Sequence, residues 1–289
     1  MALLEVGTNK PYSTIQAAIN DTAPSGHIRV NPGGVGNVYT EKLAIVSKRV
    51  RLSGSGVTAA GPQILVQSPD NVAALTVSGT GGVWCENLGF RTTLAAATYV
   101  CEGNVAEDWF SRCVVDGEAK GSKGLQAQFG DNNLIMRCTS GVEPSCGGQT
   151  LFYHFTCVKC TVRGIVSNAN GGEFVGCLTA DCNNAGFVNG NPQYCHNCVA
   201  DDATPATFPG SIDSMALADI AFLDFAGNDF RLLTTTQAYF LGMAIVPYDL
   251  LGNRRTRETV PSPLVVAGCL DCLPAGPGFL SGSSQIRSM

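Results

Sequence analysis

Charge is what this sequence has least of. Only 14% of its 289 residues are Asp, Glu, Lys or Arg, and the formal net charge is −5. A chain so sparsely charged, with an acidic balance, lacks the basic face that nucleic acid requires, so no nucleic-acid partner is expected. The same low charge argues against a disordered chain. Long apolar runs are also missing: none approaches the roughly 20 residues that span a bilayer, so no membrane partner is expected. The opening Met1-Ala2-Leu3-Leu4-Glu5-Val6-Gly7 has neither a basic start nor a long apolar core. No signal peptide is visible. Through the middle of the chain there is no convincing helical period.

What is abundant is glycine, with 34 residues, and cysteine, with 13. Between Trp84 and Asp202 a short phrase returns: apolar, any, basic or small, Cys, apolar. It reads Phe110-Ser111-Arg112-Cys113-Val114, Ile135-Met136-Arg137-Cys138-Thr139 and Cys157-Val158-Lys159-Cys160-Thr161. It continues as Phe174-Val175-Gly176-Cys177-Leu178 and Cys195-His196-Asn197-Cys198-Val199. Trp84-Cys85-Glu86-Asn87-Leu88 is an earlier copy, with Asn87 in the cysteine's place. A phrase that returns every roughly 20 residues marks a solenoid, whose units bury their apolar faces only by stacking. The units are alternating runs of Val, Ile, Phe and Thr broken by Gly, Asn and Asp, which reads as strand. The fold class is therefore all-β, a single-stranded parallel β-helix.

Cys113, Cys138, Cys160, Cys177 and Cys198 hold the same place in the phrase, which predicts one inward-facing structural column of buried, reduced thiols. Three C-x-x-C pairs, Cys157/Cys160, Cys195/Cys198 and Cys269/Cys272, have zinc spacing. In a straight strand, however, residues three apart point to opposite faces. The first two pairs also lie two turns apart, about 10 Å. No metal and no cofactor is expected.

Three domains follow: 1–27 an N-terminal cap, 28–210 the β-helix, and 211–289 an irregular closing segment with an extended arm. Lys10–Ile19 reads as a short amphipathic helix with capping-box spacing at Ser13 and Gln16. Strands are expected at Ile28–Val30, Leu43–Ile45, Val50–Gly54, Gln63–Gln67 and Ala73–Val77. The order Tyr12-Ser13-Thr14-Ile15-Gln16, Ile28-Arg29-Val30, Pro32-Gly33, Tyr39-Thr40-Glu41 and Val50-Arg51-Leu52-Ser53-Gly54 resembles the opening of pectin-lyase-like right-handed β-helices, pectin methylesterases among them. That resemblance implies a right-handed coil with its N-terminal end covered by the helix. Ser211–Asp224 breaks the repeat as a short helix or loose final turn. Asn228-Asp229-Phe230-Arg231-Leu232-Leu233 and Tyr248-Asp249-Leu250-Leu251-Gly252-Asn253-Arg254-Arg255 resemble the closing phrases of bacterial and phage β-helix proteins. Val260–Ala267 and Leu270–Leu280 suit an arm that needs a partner surface. Arg254, Arg255 and Arg257 read as a solvated or interface patch.

Catalytic residues are harder to find. Asp181 and Asp202 each lie four residues after a phrase cysteine, with Asp201 adjacent, so they are expected side by side. Thr179-Ala180-Asp181 and Asp201-Asp202 resemble the N-T-D and D-D phrases of polygalacturonases, where paired carboxylates serve hydrolysis. The G-H-G and R-x-K phrases that should follow are absent, and so are the pectin methylesterase phrases D-F-I-F-G and G-R-P-W. Turn-forming aspartates are the plainer reading. His154 and His196 read as structural, and His27 belongs to the opening turn. Trp109, Phe110, Phe152, Tyr153 and Phe155 offer a sugar-stacking face, although alternation sends half of them inward. The expectation is a non-enzymatic structural or adhesive protein. It would be a phage virion component, whether capsid decoration protein, spike or fibre. It would assemble in the host cytoplasm as a homotrimer with other virion proteins, with a surface polysaccharide as a further partner. The alternative is a polysaccharide-active enzyme or glycan-binding module centred on Asp181, Asp201 and Asp202.

Overall fold

A computed structural model of the chain describes residues 3–33, 36–58, 61–93, 98–103, 107–144, 150–166, 172–183, 185–188, 194–202, 210–233, 239–241, 249–251 and 264–266, with 194, 210–214, 239–241 and 264–266 as backbone. Cys269, Cys272, the arginines 254, 255 and 257, and most of the expected arm lie outside the described residues.

The chain winds into a coil with three parallel walls. The first carries Arg49–Ser53, Gly82–Glu86, Trp109–Ser111, Phe129–Asp131, Thr150–Tyr153, Gly172–Val175 and Tyr194–Ala200. After a tight corner comes the second, with Leu65–Ser68, Gly89–Thr92, Val114–Asp116, Leu134–Met136, Thr156–Val158 and Leu178–Ala180. The third is a seven-stranded sheet running from Leu43–Val46 to Ala185–Val188. Parallel pairing begins earlier and ends later than expected: Leu3–Val6 pairs with Gly26–Val30, and Gly210–Ser214 pairs with Tyr194–Ala200. Side chains alternate between the two faces of each wall, so every second residue stacks inside. Phe90, Phe110, Phe152, Phe155, Phe174 and Phe187 are fully buried there.

The corner between the first two walls turns on a single left-handed residue: Asn87, Arg112, Asn132, His154, Gly176 and Asn197 all have φ between 50° and 62°. Left-handed φ costs a non-glycine residue about 1–2 kcal/mol, and the next turn offsets that cost. The amides of Asn87, Arg112, Asn132, His154 and Gly176 donate to the carbonyls of Ser111, Asp131, Tyr153, Val175 and His196. The hydrogen-bond ladder thus continues through the bend. A second corner at the far end of the second wall repeats the device with Arg137, Lys159 and Asp181.

The recurring cysteine follows from these corners. Whichever corner it occupies, the cysteine comes directly after the left-handed residue, and its thiol reaches the carbonyl two residues back. Cys113 Sγ lies 3.4 Å from Ser111 O, Cys138 Sγ 3.2 Å from Met136 O, and Cys198 Sγ 3.5 Å from His196 O. A thiol is both a small apolar group and a weak donor, which suits a crowded bend. The single expected column is therefore two. Cys113, Cys177 and Cys198 belong to the first corner, with Asn133 and Phe155 on the turns between Cys113 and Cys177; Cys138, Cys160 and Cys182 stack at the second. One local phrase serves two places in the turn. Read between the left-handed positions of the first corner, from Asn87 to Asn197, the true repeat is more even than the spacing of the cysteines. All ten described cysteines are buried and unbridged.

The coil is narrow where the third wall faces the second. Gly124, Gly141, Gly164 and Gly186 stack in register. A Cβ on Gly141 would come within 2.5 Å of Gly164 O and 2.7 Å of Cys157 Sγ.

The N-terminal end of the coil and the outside of the second wall are both covered. Helix α1, Ile15–Asp21, lies over the N-terminal end; its N-cap is Thr14, one residue after the expected Ser13. Glu41 accepts the amides of Ile15 and Gln16, and Gln16 in turn bonds both backbone groups of Ala44. The closing segment folds back on the outside of the second wall. Helix α2, Leu217–Ile220, leads into an antiparallel hairpin of Phe222–Asp224 and Asp229–Leu232. Phe222, Phe230, Leu232 and Leu250 pack on Val114, Leu134, Val158 and Leu178. Lys159 lies over the rings of Phe225 and Phe230, at 4.8 and 5.5 Å. Among the described residues no helix is long and apolar enough to cross a membrane.

Candidate functional site

The expected acids come together, but as backbone acceptors. Asp181 is the last left-handed residue of the second corner, where earlier turns donate to a carbonyl of the following turn. Here Asp201 Oδ2 takes the Asp181 amide at 2.7 Å instead. Asp202 Oδ2 accepts the amide of Gly186. Asp181 itself is exposed. Burial raises the Asp201 carboxyl above its ordinary value, against the pull of the Asp181 amide. Asp201 and Asp202 are thus engaged with backbone amides, and the Asp181 side chain is left exposed. Among the described residues no group of three or more His, Cys, Asp or Glu is disposed to hold a metal ion.

A different set of residues makes a surface. On the first wall, register places His27, Arg51, Trp84, Trp109, Phe129 and Leu151 in one column on successive turns, on the outer face. Their inward neighbours Cys85, Phe110 and Phe152 fill the core, so alternation forces these six out. Trp84 is 47% exposed. The rings form a row along the coil axis: Trp84 to Trp109 is 5.9 Å between centroids, and Trp109 to Phe129 is 5.9 Å. The Arg51 guanidinium sits 5.2 Å from the Trp84 ring and closes that end of the row. Beside the row opens a hollow of about 420 Å³ with Arg49, Arg51 and Glu107 on its rim.

The neighbouring outward column is polar: Ser53, Glu86, Ser111, Asp131 and Tyr153. Asp131 accepts from Trp109 Nε1 at 3.1 Å and Ser111 Oγ at 2.8 Å, which pins the indole. Burial raises the Asp131 carboxyl above its ordinary value, opposed by those donors. Glu86 pairs with Arg51 at 2.7 Å, and Arg49 pairs with Glu107. His27 Nε2 lies 2.7 Å from Ser53 Oγ, and burial with the Arg51 charge pushes the imidazole below its ordinary value. Of the five aromatic residues singled out in the sequence, Trp109 and Tyr153 face outward, whereas Phe110, Phe152 and Phe155 are fully buried. Trp84 and Phe129 complete the row and were not anticipated. Their signal lies in the turn length: Trp84 and Phe129 stand as far from Trp109 as Asn87 and Asn132 stand from Arg112.

A coil of this shape has solved counterparts. Structures of the pectin methylesterase from Aspergillus niger, in deglycosylated and penultimately deglycosylated form, superpose with TM-scores of 0.54 and 0.53. Each match covers 86% of this chain and 93% of the esterase, at 16% and 15% identity. The coil is a right-handed parallel β-helix. At such identity the likeness fixes the fold of the β-helix and no chemistry. Pectate lyase Pel9A, at a TM-score of 0.36 and 11% identity, is too distant to add to this. No protein-family model and no curated protein matches the chain.

Proposed function

We propose that the protein is a non-enzymatic adhesive β-helix that holds a polysaccharide along the Trp84–Trp109–Phe129 row. The row itself carries this reading. Three flat apolar rings face solvent in a line, a costly arrangement unless something covers it, and hydrogen-bond acceptors run in parallel two residues further along each strand. A pyranose chain has the complementary surface, with apolar ring faces and hydroxyl edges. The enzymatic alternative has less support, because Asp201 and Asp202 are occupied as backbone acceptors and Asp181 faces solvent. The place of the adhesin in a phage virion, as decoration protein, spike or fibre, belongs to the same proposal. That part rests on the closing phrases around Asp229–Leu233 and Asp249–Arg255. So does assembly as a homotrimer with other virion proteins, for which light scattering of the pure chain should give three times 30.1 kDa.

The experiment is retention on a panel of polysaccharides, run alongside an assay for new reducing ends. Retention without cleavage is expected. Cleavage that disappears in Asp181→Asn or Asp202→Asn would overturn the proposal in favour of a glycosidase.

A further inference from the structure

We infer that the row takes an uncharged polysaccharide and discriminates against polyuronates. The inference rests on the reading of the row as a glycan face, and it comes from the charges that border it. The two arginines on the rim of the hollow each have an acid beside them. Arg49 pairs with Glu107 and Arg51 with Glu86; Arg112 lies close enough to Asp131 for its charge to act on that carboxyl. Glu173 continues the ring column itself, two turns past Phe129, and adds a further acid at that end of the row. A ligand carboxylate laid along the rings would meet Glu86 and Asp131 with the Arg49 and Arg51 guanidiniums already engaged, and like charges at such range repel. Sugar hydroxyls are donors, and the same carboxylates and Ser111 are good acceptors for them. The apolar ring faces of a pyranose then stack on Trp84, Trp109 and Phe129. Because the row crosses successive turns, the polymer lies parallel to the coil axis and a ligand must be long enough to cover three rings.

The chain supplies its own reporter. Trp84 and Trp109 are its only two tryptophans, and both belong to the row, so intrinsic fluorescence reads this surface alone. Titration of the full chain with a soluble neutral β-glucan should change tryptophan emission saturably and should survive added salt. Trp84→Ala, at a half-exposed position, should fold as wild type and bind the glucan about tenfold more weakly, or about 1.4 kcal/mol. Polygalacturonate should leave the emission unchanged. If polygalacturonate binds more tightly than the glucan, the charge assignment is overturned while the glycan face stands. If a glycan array with neutral and acidic members gives no binding at all, the face reading fails and this inference with it. Emission that changes with protein concentration alone, accompanied by self-association, would assign the row to a second copy of the chain and overturn both.

Discussion

Asn133 is fully buried, the one polar side chain in a corner column that otherwise holds Leu88, Cys113, Phe155, Cys177 and Cys198. Its Oδ1 accepts the Cys113 amide at 2.8 Å, and its Nδ2 donates to Phe110 O at 2.8 Å. The side chain therefore ties one turn to the turn before it, through backbone groups on either side of the Arg112 bend. Replacing it with Leu orphans the Cys113 amide, at about 1–3 kcal/mol, and removes a second bond worth about 1 kcal/mol. Extra apolar contact returns at most about 1 kcal/mol. The net loss should be about 2–3 kcal/mol, or roughly 3–5 °C in Tm for a chain of this size. Urea denaturation followed by far-ultraviolet dichroism, with unchanged m, is the measurement. Asn133→Asp keeps the acceptor, loses the donor and buries a charge, so it should cost at least as much at neutral pH and recover in part on acidification. A change below about 0.5 kcal/mol in Asn133→Leu, the range of an ordinary surface substitution, would refute the claim that this bridge holds successive turns together.

Three further outcomes follow from the packing. The ten described cysteines should react slowly with a thiol reagent in native protein and quickly after unfolding, since burial pushes Cys113 up to about 12 and raises Cys138 and Cys198; fast native labelling of most of them would contradict the stacked corners. Gly141→Ala should lower stability by about 1–3 kcal/mol, because the new methyl meets Gly164 O and Cys157 Sγ in a close-packed wall; an unchanged denaturation midpoint would refute the narrow cross-section. His27, whose folded-state pKa is depressed, keeps its full stabilising contribution above the ordinary histidine value and loses it as pH falls below that value towards the folded one. His27→Gln should flatten the acid limb of the stability profile, and an unaltered limb in the variant would show that another group is responsible.

The fold was legible because a β-helix writes its turn length into the sequence, and the register was not. Trp84-Cys85-Glu86-Asn87 aligns with Phe110-Ser111-Arg112-Cys113 if Asn87 is equated with Cys113. In the structure Leu88 takes that place and Trp84 pairs with Trp109. A slip of one residue sends each side chain to the opposite face, which is why the aromatic row did not emerge from the repeat. The short interval between Cys160 and Cys177 likewise spans two different corners. Asp181 and Asp202 were expected side by side with Asp201 adjacent; in the structure the Asp181 amide goes to Asp201, and Asp202 takes the amide of Gly186. Their role was hidden because it depends on which oxygen takes each corner amide, a carbonyl in earlier turns and a carboxylate here, which spacing alone does not reveal. The strand Leu3–Val6 was missed for a simpler reason: so short a run at a terminus carries too little alternation to stand out.

The two tight bends divide the molecule's capacity to change. The step from Asn132 to Arg137 is repeated unchanged from His154 to Lys159 and from Gly176 to Asp181, whereas the way round to the next first bend is more than three times as long. A residue added inside the short arc would throw the left-handed position, its thiol neighbour and the ladder above out of phase at once. Lengthening has to occur on the long arc. Two edges of the coil thus form a fixed spine, and the remaining arc is where a grafted peptide, an affinity tag or a natural insertion can be added without disturbing the turns stacked above and below it.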